Sequence, residues 1–175
     1  MEKTFYKEEQ RFNQKWVWIV LILATLASTV PFLFGIYTQE VLHKPWGNQP
    51  TQTWVLVLFF VFDLLIMGGL IWLMIKMRLI FEIRSDGIWF RYPPFYKKWK
   101  CIKKEEIASF EVGNYKPVLE YGGWGIRGSR RKRAFNVSGN IGLKLLLKND
   151  KKVLIGTQKR QSVNYAMEKL MRGEK

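Results

Sequence analysis

Residues 16–36 read WVWIVLILATLASTVPFLFGI, and residues 54–75 read WVLVLFFVFDLLIMGGLIWLMI. These two stretches decide the fold class. The first, 21 residues long, carries no charge; the second, 22 residues long, carries one, Asp63. At 1.5 Å per residue the first is about 31 Å long as a helix, close to the thickness of a bilayer hydrocarbon core. Soluble helices of this length keep a polar face, and neither stretch has one. Amphipathic rings favour the headgroup level. Trp16 and Trp18 stand at one end of the first stretch, Tyr37 just past the other, and Trp54 and Trp72 near the two ends of the second. Both stretches read as transmembrane helices, 16–36 and 54–75. A cleaved signal peptide fits less well, because the first run exceeds the usual apolar length and no small-x-small site follows it.

The flanks orient the pair. Lys3, Lys7, Arg11 and Lys15 precede the first run, and Lys76 and Arg78 follow the second. The connecting segment 37–53 holds one Lys (Lys44), one Glu (Glu40) and the only histidine, His43. Positive charge stays inside. The expected layout is therefore a cytoplasmic N-terminal segment 1–15, an extracytoplasmic loop 37–53 and a cytoplasmic domain 76–175. From Lys76 onward there are 24 Lys and Arg against 9 Asp and Glu, so the whole net charge of +15 lies in that domain. Much of this charge follows from topology alone. The linker is nearly absent, since Leu79 already reads as strand, and the domain is expected close to the membrane.

Asp63 lies about nine residues in from the outer end of the second run. In an antiparallel hairpin that depth matches Ala27, Ser28 and Thr29. A carboxyl there is costly unless paired. The expected contact is a hydrogen bond from Ser28 or Thr29, within one chain or across a dimer. Asp63 is expected to matter for assembly, and a proton or ion pathway is disfavoured because two helices offer too few polar groups. Ala24, Ala27, Gly68 and Gly69 permit close approach of the helices.

Residues 76–175 suffice for one small core. Leu79–Arg84 and Ile88–Tyr92 flank Ser85-Asp86-Gly87, a hairpin signal. Pro93-Pro94 ends the second strand, Trp99–Ile102 is a third, and Ser109–Tyr115 runs to a break at Lys116-Pro117. Gly125–Arg127 and Ala134–Val137 flank a basic loop, and Leu143–Lys148 and Val153–Thr157 form a hairpin. Val163, Ala166, Met167 and Leu170 recur at helical spacing, with Gly173 as a stop. About seven strands of a bent antiparallel sheet and one amphipathic helix are predicted.

This order is similar to the pleckstrin-homology (PH) fold, seven strands and a C-terminal helix. The chain resembles a group of small bacterial two-span membrane proteins with a PH-like domain. The residues that carry the resemblance are Glu8-Glu9-Gln10-Arg11-Phe12, Asp86-Gly87-Ile88 and Glu120-Tyr121-Gly122-Gly123-Trp124-Gly125-Ile126-Arg127. Ala134-Phe135-Asn136-Val137-Ser138-Gly139 and Leu154-Ile155-Gly156-Thr157-Gln158 complete them. The resemblance implies an α+β membrane protein, a transmembrane hairpin followed by a PH-like antiparallel β-sandwich or barrel. It also implies a place in the bacterial cytoplasmic membrane, and brings no established activity. Where the pattern has a short loop after Arg127, this chain carries Gly128-Ser129-Arg130-Arg131-Lys132-Arg133.

Gly123-Trp-Gly-Ile-Arg-Gly128 formally fits a dinucleotide-binding glycine pattern, with Asp150 downstream. No strand–helix context surrounds it, so the glycines are read as shaping the backbone beside Trp124. Trp124 packs across the sheet or shows an edge to a partner. Arg130, Arg131, Lys132 and Arg133, with Arg127, are candidate contacts for anionic lipid headgroups. Each cation near an acidic leaflet contributes about 1 kcal/mol, decaying over about 8–10 Å. Lys97, Lys98, Lys100, Lys103 and Lys104 around Trp99 form a second cluster, a snorkelling patch or a strand edge blunted by lysines. Nucleic acid is the disfavoured partner, because topology already explains the charge. No catalytic constellation, cofactor or metal site is expected. Cys101 is the only cysteine and is expected to pack inward, and Glu105-Glu106, read as strand neighbours, point to opposite faces. The expected function is a membrane-anchored, non-enzymatic binding or scaffold module for anionic lipids or a protein partner. The alternative is a regulatory or assembly subunit of a larger membrane complex or homo-oligomer, with Asp63, Ser28 and Thr29 as the intramembrane contact.

Overall fold

The computed structural model describes residues 3–48 and 51–173. Residues 1, 2, 49, 50, 174 and 175, which belong to the expected terminal and loop segments, lie outside the described residues. The chain is α+β and divides into two units. One is Gln14–Ile75, and the other joins Met1–Asn13 to Lys76–Lys175.

The first unit holds α1 (Lys15–Glu40) and α2 (Thr53–Lys76). Both are long and apolar enough to cross a membrane. Leu56 is the only buried side chain of α2, and Gly35 and Thr38 are the buried residues of α1; the other apolar side chains of both helices are exposed or half-buried. α1 runs to Glu40, four residues beyond the apolar run. The Thr38 hydroxyl donates to the carbonyls of Phe34 (3.0 Å) and Gly35 (2.9 Å), and the Val41 N–H donates to Tyr37 (2.9 Å). These bonds extend the helix into the segment read as loop. Gln39 Nε2 donates to the Thr51 carbonyl (3.1 Å), and the Thr53 hydroxyl to Gln39 Oε1 (3.0 Å), tying the loop's ends together.

In the second unit, nine strands are described: β1 (Thr4–Arg11), β2 (Arg78–Arg84), β3 (Gly87–Tyr92), β4 (Tyr96–Lys103), β5 (Ile107–Asn114), β6 (Gly125–Gly128), β7 (Lys132–Asn136), β8 (Ile141–Leu147) and β9 (Lys152–Gly156). They form two sheets, ordered β1-β2-β3-β4 and β5-β8-β9-β7-β6. Two short elements interrupt them, α3 (Pro117–Tyr121) and a 3-10 turn at Lys104–Glu106, and α4 (Arg160–Arg172) ends the unit. Pro117 both stops β5 and opens α3, where its missing N–H costs nothing. Glu105 and Glu106 lie in the 3-10 turn, not on a strand.

Three further expectations are corrected. Residues 4–11, read as part of a separate N-terminal segment, form β1 and pair antiparallel with β2 from Thr4↔Arg84 to Arg11↔Arg78. Their inward residues Tyr6, Glu8 and Gln10 are polar, so no apolar alternation marks the strand. The second sheet is not wholly antiparallel, because β7 and β9 run parallel. The chain reverses between β7 and β8 and again between β8 and β9; β9 lies between β8 and β7 and so shares the direction of β7. Cys101 is half-buried opposite Trp89, and its neighbour Ile102 is the buried one.

The core lies between the sheets. Leu79, Phe81 and Ile83 of β2 and Ile88, Phe90 and Tyr92 of β3 are buried, as are Phe135, Leu143, Leu145 and Ile155 of the other sheet. Phe90 and Phe135 meet at 4.8 Å between ring centroids. α4 packs on β1 and β2 of one sheet and on β5 and β8 of the other, burying Val163, Ala166, Met167 and Leu170. The left-handed Gly173 closes its last turn. β9 is apolar on both faces because Leu154 joins Tyr115 and Ala134 in a second cluster, against which Tyr121 of α3 packs. α3, through Tyr121, thus covers part of the outer face of the second sheet.

Candidate functional site

The N-terminal strand is locked in by a carboxylate. Glu8 is buried, and its oxygens accept from four donors: Tyr6 OH (2.6 Å), Gln10 Nε2 (2.9 Å), Thr157 Oγ1 (2.6 Å) and the Gln158 N–H (3.0 Å). Gln10 Nε2 also donates to the Gly156 carbonyl (2.7 Å), and Gln158 Nε2 donates to Ser138 Oγ (2.9 Å). Burial, and then the bond to Glu8, push the Tyr6 phenol well above its ordinary value. Residues 6–10, Ser138 and residues 156–158, distant in sequence, are joined here, so the function of this network is to hold β1 on the second sheet. Sequence reasoning missed it. The available signal was that the fifteen residues before the first apolar run hold no Gly or Pro.

Asn136 positions the glycine-rich segment. Its Oδ1 accepts the Gly125 N–H (2.8 Å), its Nδ2 donates to Tyr115 OH (2.9 Å), and its carbonyl accepts from Tyr92 OH (3.1 Å). Burial raises the Tyr115 phenol to about 12, against the opposing bond from Asn136. The Trp124 indole N–H donates to the Gly139 carbonyl (2.9 Å), and Arg127 Nε donates to the Trp124 carbonyl (3.0 Å). Trp124 is therefore half-buried beside the β7–β8 turn.

The basic run forms the β6–β7 hairpin. Its tip closes with the Ser129 N–H on the Lys132 carbonyl (2.8 Å). Gly128 has φ +92°, and a Cβ there would lie 2.1 Å from the Lys132 carbonyl oxygen, so only glycine fits. Strand alternation then splits the cluster. Lys132 turns to the α3 side, with Nζ 4.7 Å from the Tyr121 ring centroid. Arg130 and Arg133 line a groove of about 410 Å³ with Lys100, Lys151 and Lys152. Its apolar lining includes Phe90, Ile102, Phe135, Leu147 and Val153, and no carboxylate is among its residues. The second predicted cluster thus contributes Lys100 to the same site as the first, while Arg131 stays exposed at the tip and Trp124 and Arg127 lie outside the lining. A neighbouring cleft of about 350 Å³ also contains lysines, but Glu111 and Glu120 line it and Lys144 is paired with Glu111 at 3.3 Å. The groove is the better anion site, offering several cations over an apolar floor.

The outward face of the first sheet carries a separate array. Glu82 is buried between Lys7 (3.0 Å) and Arg84 (2.6 Å). Burial raises its carboxyl pKa, but the hydrogen bonds from Arg84 and Lys7 outweigh that and hold it below the ordinary value. Arg84 stacks over Trp89 and Arg91 over Trp99, at 5.1 and 4.7 Å from the ring centroids. In the helical unit, Asp63 Oδ2 accepts from Thr29 Oγ1 (3.0 Å) and Ser28 Oγ (3.4 Å) of the same chain. Compared with family models, with curated proteins and with solved structures, the chain finds no match in any of the three.

Proposed function

We propose that this chain is a membrane-anchored, non-enzymatic binding module. In this reading α1 and α2 cross a bacterial cytoplasmic membrane as a hairpin, with both termini cytoplasmic. The other unit is a PH-like domain that contacts anionic lipid headgroups through the groove. The PH-like assignment is supported by strand order. With α3, β6 and β7 set aside as an insertion, four strands of one sheet precede three of the other, and a helix follows. The lipid reading is carried by one observation: five cations line a groove that contains no carboxylate. Such an array draws in phosphate-bearing groups with about 1 kcal/mol per cation near an anionic surface.

The test uses the full chain in a neutral detergent, titrated with soluble short-chain phosphatidylglycerol or phosphatidylcholine while thermal unfolding is followed. A ligand that binds the native state raises the midpoint. The anionic lipid is expected to raise it more, and added salt to reduce the difference. Arg130→Gln with Arg133→Gln should remove most of the difference, whereas Lys132→Gln should leave most of it. Equal shifts from both lipids overturn the reading. A stoichiometric protein co-purifying in mild detergent would instead favour the assembly-subunit alternative.

A further inference from the structure

The β3–β4 turn is not explained by the groove or by the core. Its tip, Pro93-Pro94-Phe95, is closed by the Tyr92↔Tyr96 pair and leaves Phe95 58% exposed. Lys97 and Lys98 follow, both exposed, and no Asp or Glu occurs from Gly87 to Lys104. An outward aromatic ring followed by cations suits the headgroup level of a leaflet, where the ring meets methylenes and the ammoniums reach phosphates. Chain connectivity supplies the second observation. The Arg78 N–H donates to the Pro93 carbonyl (3.2 Å), and only Met77 separates Arg78 from Lys76, the last residue of α2. Covalent geometry keeps Arg78 within about 8 Å of that helix end, whatever the angle between helices and domain.

We propose that residues 93–98 form an interfacial membrane-contact loop, with Phe95 inserted into the lipid leaflet beside the end of α2 and Lys97 and Lys98 at its phosphates. The inference rests on α1 and α2 spanning the bilayer and is independent of the groove. The experiment uses the full chain with Cys101→Ser and one introduced cysteine, nitroxide-labelled, in vesicles of phosphatidylcholine and phosphatidylglycerol. Power saturation is measured with oxygen, which enters the bilayer, and with a nickel chelate, which stays in water. A label at Phe95→Cys is expected to be several-fold less open to the chelate than one at Asn149→Cys in the exposed β8–β9 turn, and more open to oxygen. A label at Lys97→Cys keeps the test alive if the first variant misfolds; it should show the same direction more weakly. If the labels obtained at 95 and 97 are as open to the chelate as the one at 149, the proposal is wrong. A label at Leu65→Cys separates the two failures: if it too is open to the chelate, the membrane-spanning reading falls with the proposal, and if it is protected, the loop assignment alone falls.

Discussion

Replacing Glu8 by alanine should loosen the whole β-domain from its N-terminal edge. The carboxylate accepts from Tyr6 OH, Gln10 Nε2, Thr157 Oγ1 and the Gln158 N–H, at 2.6 to 3.0 Å. Gln10 keeps its second acceptor, the Gly156 carbonyl, so three donors lose their shared acceptor. An unsatisfied buried donor costs about 1–3 kcal/mol. The hydroxyls of Tyr6 and Thr157 can rotate toward other acceptors, which brings the expected loss to about 3–5 kcal/mol. For a domain of this size that lowers the melting midpoint by roughly 10–20 °C. The assay is thermal unfolding of the full chain in mild detergent, together with the rate of trypsin cleavage after Lys7 and Arg11, which rises as β1 detaches. Thr157→Val should cost less when added to Glu8→Ala than alone, with a coupling of about 1–2 kcal/mol. A Glu8→Ala protein that melts within about 2 °C of wild type, with unchanged cleavage, would refute the argument that this carboxylate holds β1 in place.

Glu82 makes stability sensitive to acid. Its folded pKa lies below the unfolded value, so its contribution is complete above about pH 4.3 and is lost as pH falls through the folded pKa. Glu82→Gln should therefore flatten the acid limb of an unfolding titration, and an identical limb contradicts this. Gly128→Ala places a methyl against the Lys132 carbonyl at φ +92°, and should cost about 1–3 kcal/mol in thermal unfolding while displacing Arg130 and Arg133. The sequence alone leads one to expect that Asp63 matters for assembly, but its Oδ2 accepts from Thr29 and Ser28 of the same chain, so Asp63→Leu is expected to leave the oligomeric state unchanged on a native gel; a shifted band would restore the contact between copies. Thr29→Val should weaken the helical hairpin by about 0.6 kcal/mol, up to about 1.7, measured by reversible unfolding in lipid-like detergent.

Lipid binding should be tested on the whole chain. A fragment of residues 79–175 lacks β1, and with it Glu8 and the residues that pair with β2. The unpaired edge and the stranded donors of Thr157 and Gln158 would mark that fragment as defective whatever it binds.

By itself the sequence determined what is encoded locally. Uninterrupted apolar runs dictate α1 and α2, because no polar face exists to be solvated. Asp86-Gly87 and Asn149-Asp150-Lys151 dictate their hairpins, and the spacing of Val163, Ala166, Met167 and Leu170 dictates α4 and its buried face. Tertiary structure alone decided the rest. β1 pairs with a strand that follows it by more than sixty residues, and its inward side is polar, so hydropathy gives it no period to detect. The parallel β7–β9 pair depends on which neighbour β9 chooses, and the two apolar faces of β9 show only that both are covered. The groove draws Lys100 from one sheet, Arg133 and Lys152 from the other, and Arg130 and Lys151 from the β6–β7 and β8–β9 turns. Each cation looks like ordinary surface charge in the chain, and they become one electrostatic site only when folding brings them together and leaves no carboxylate between them.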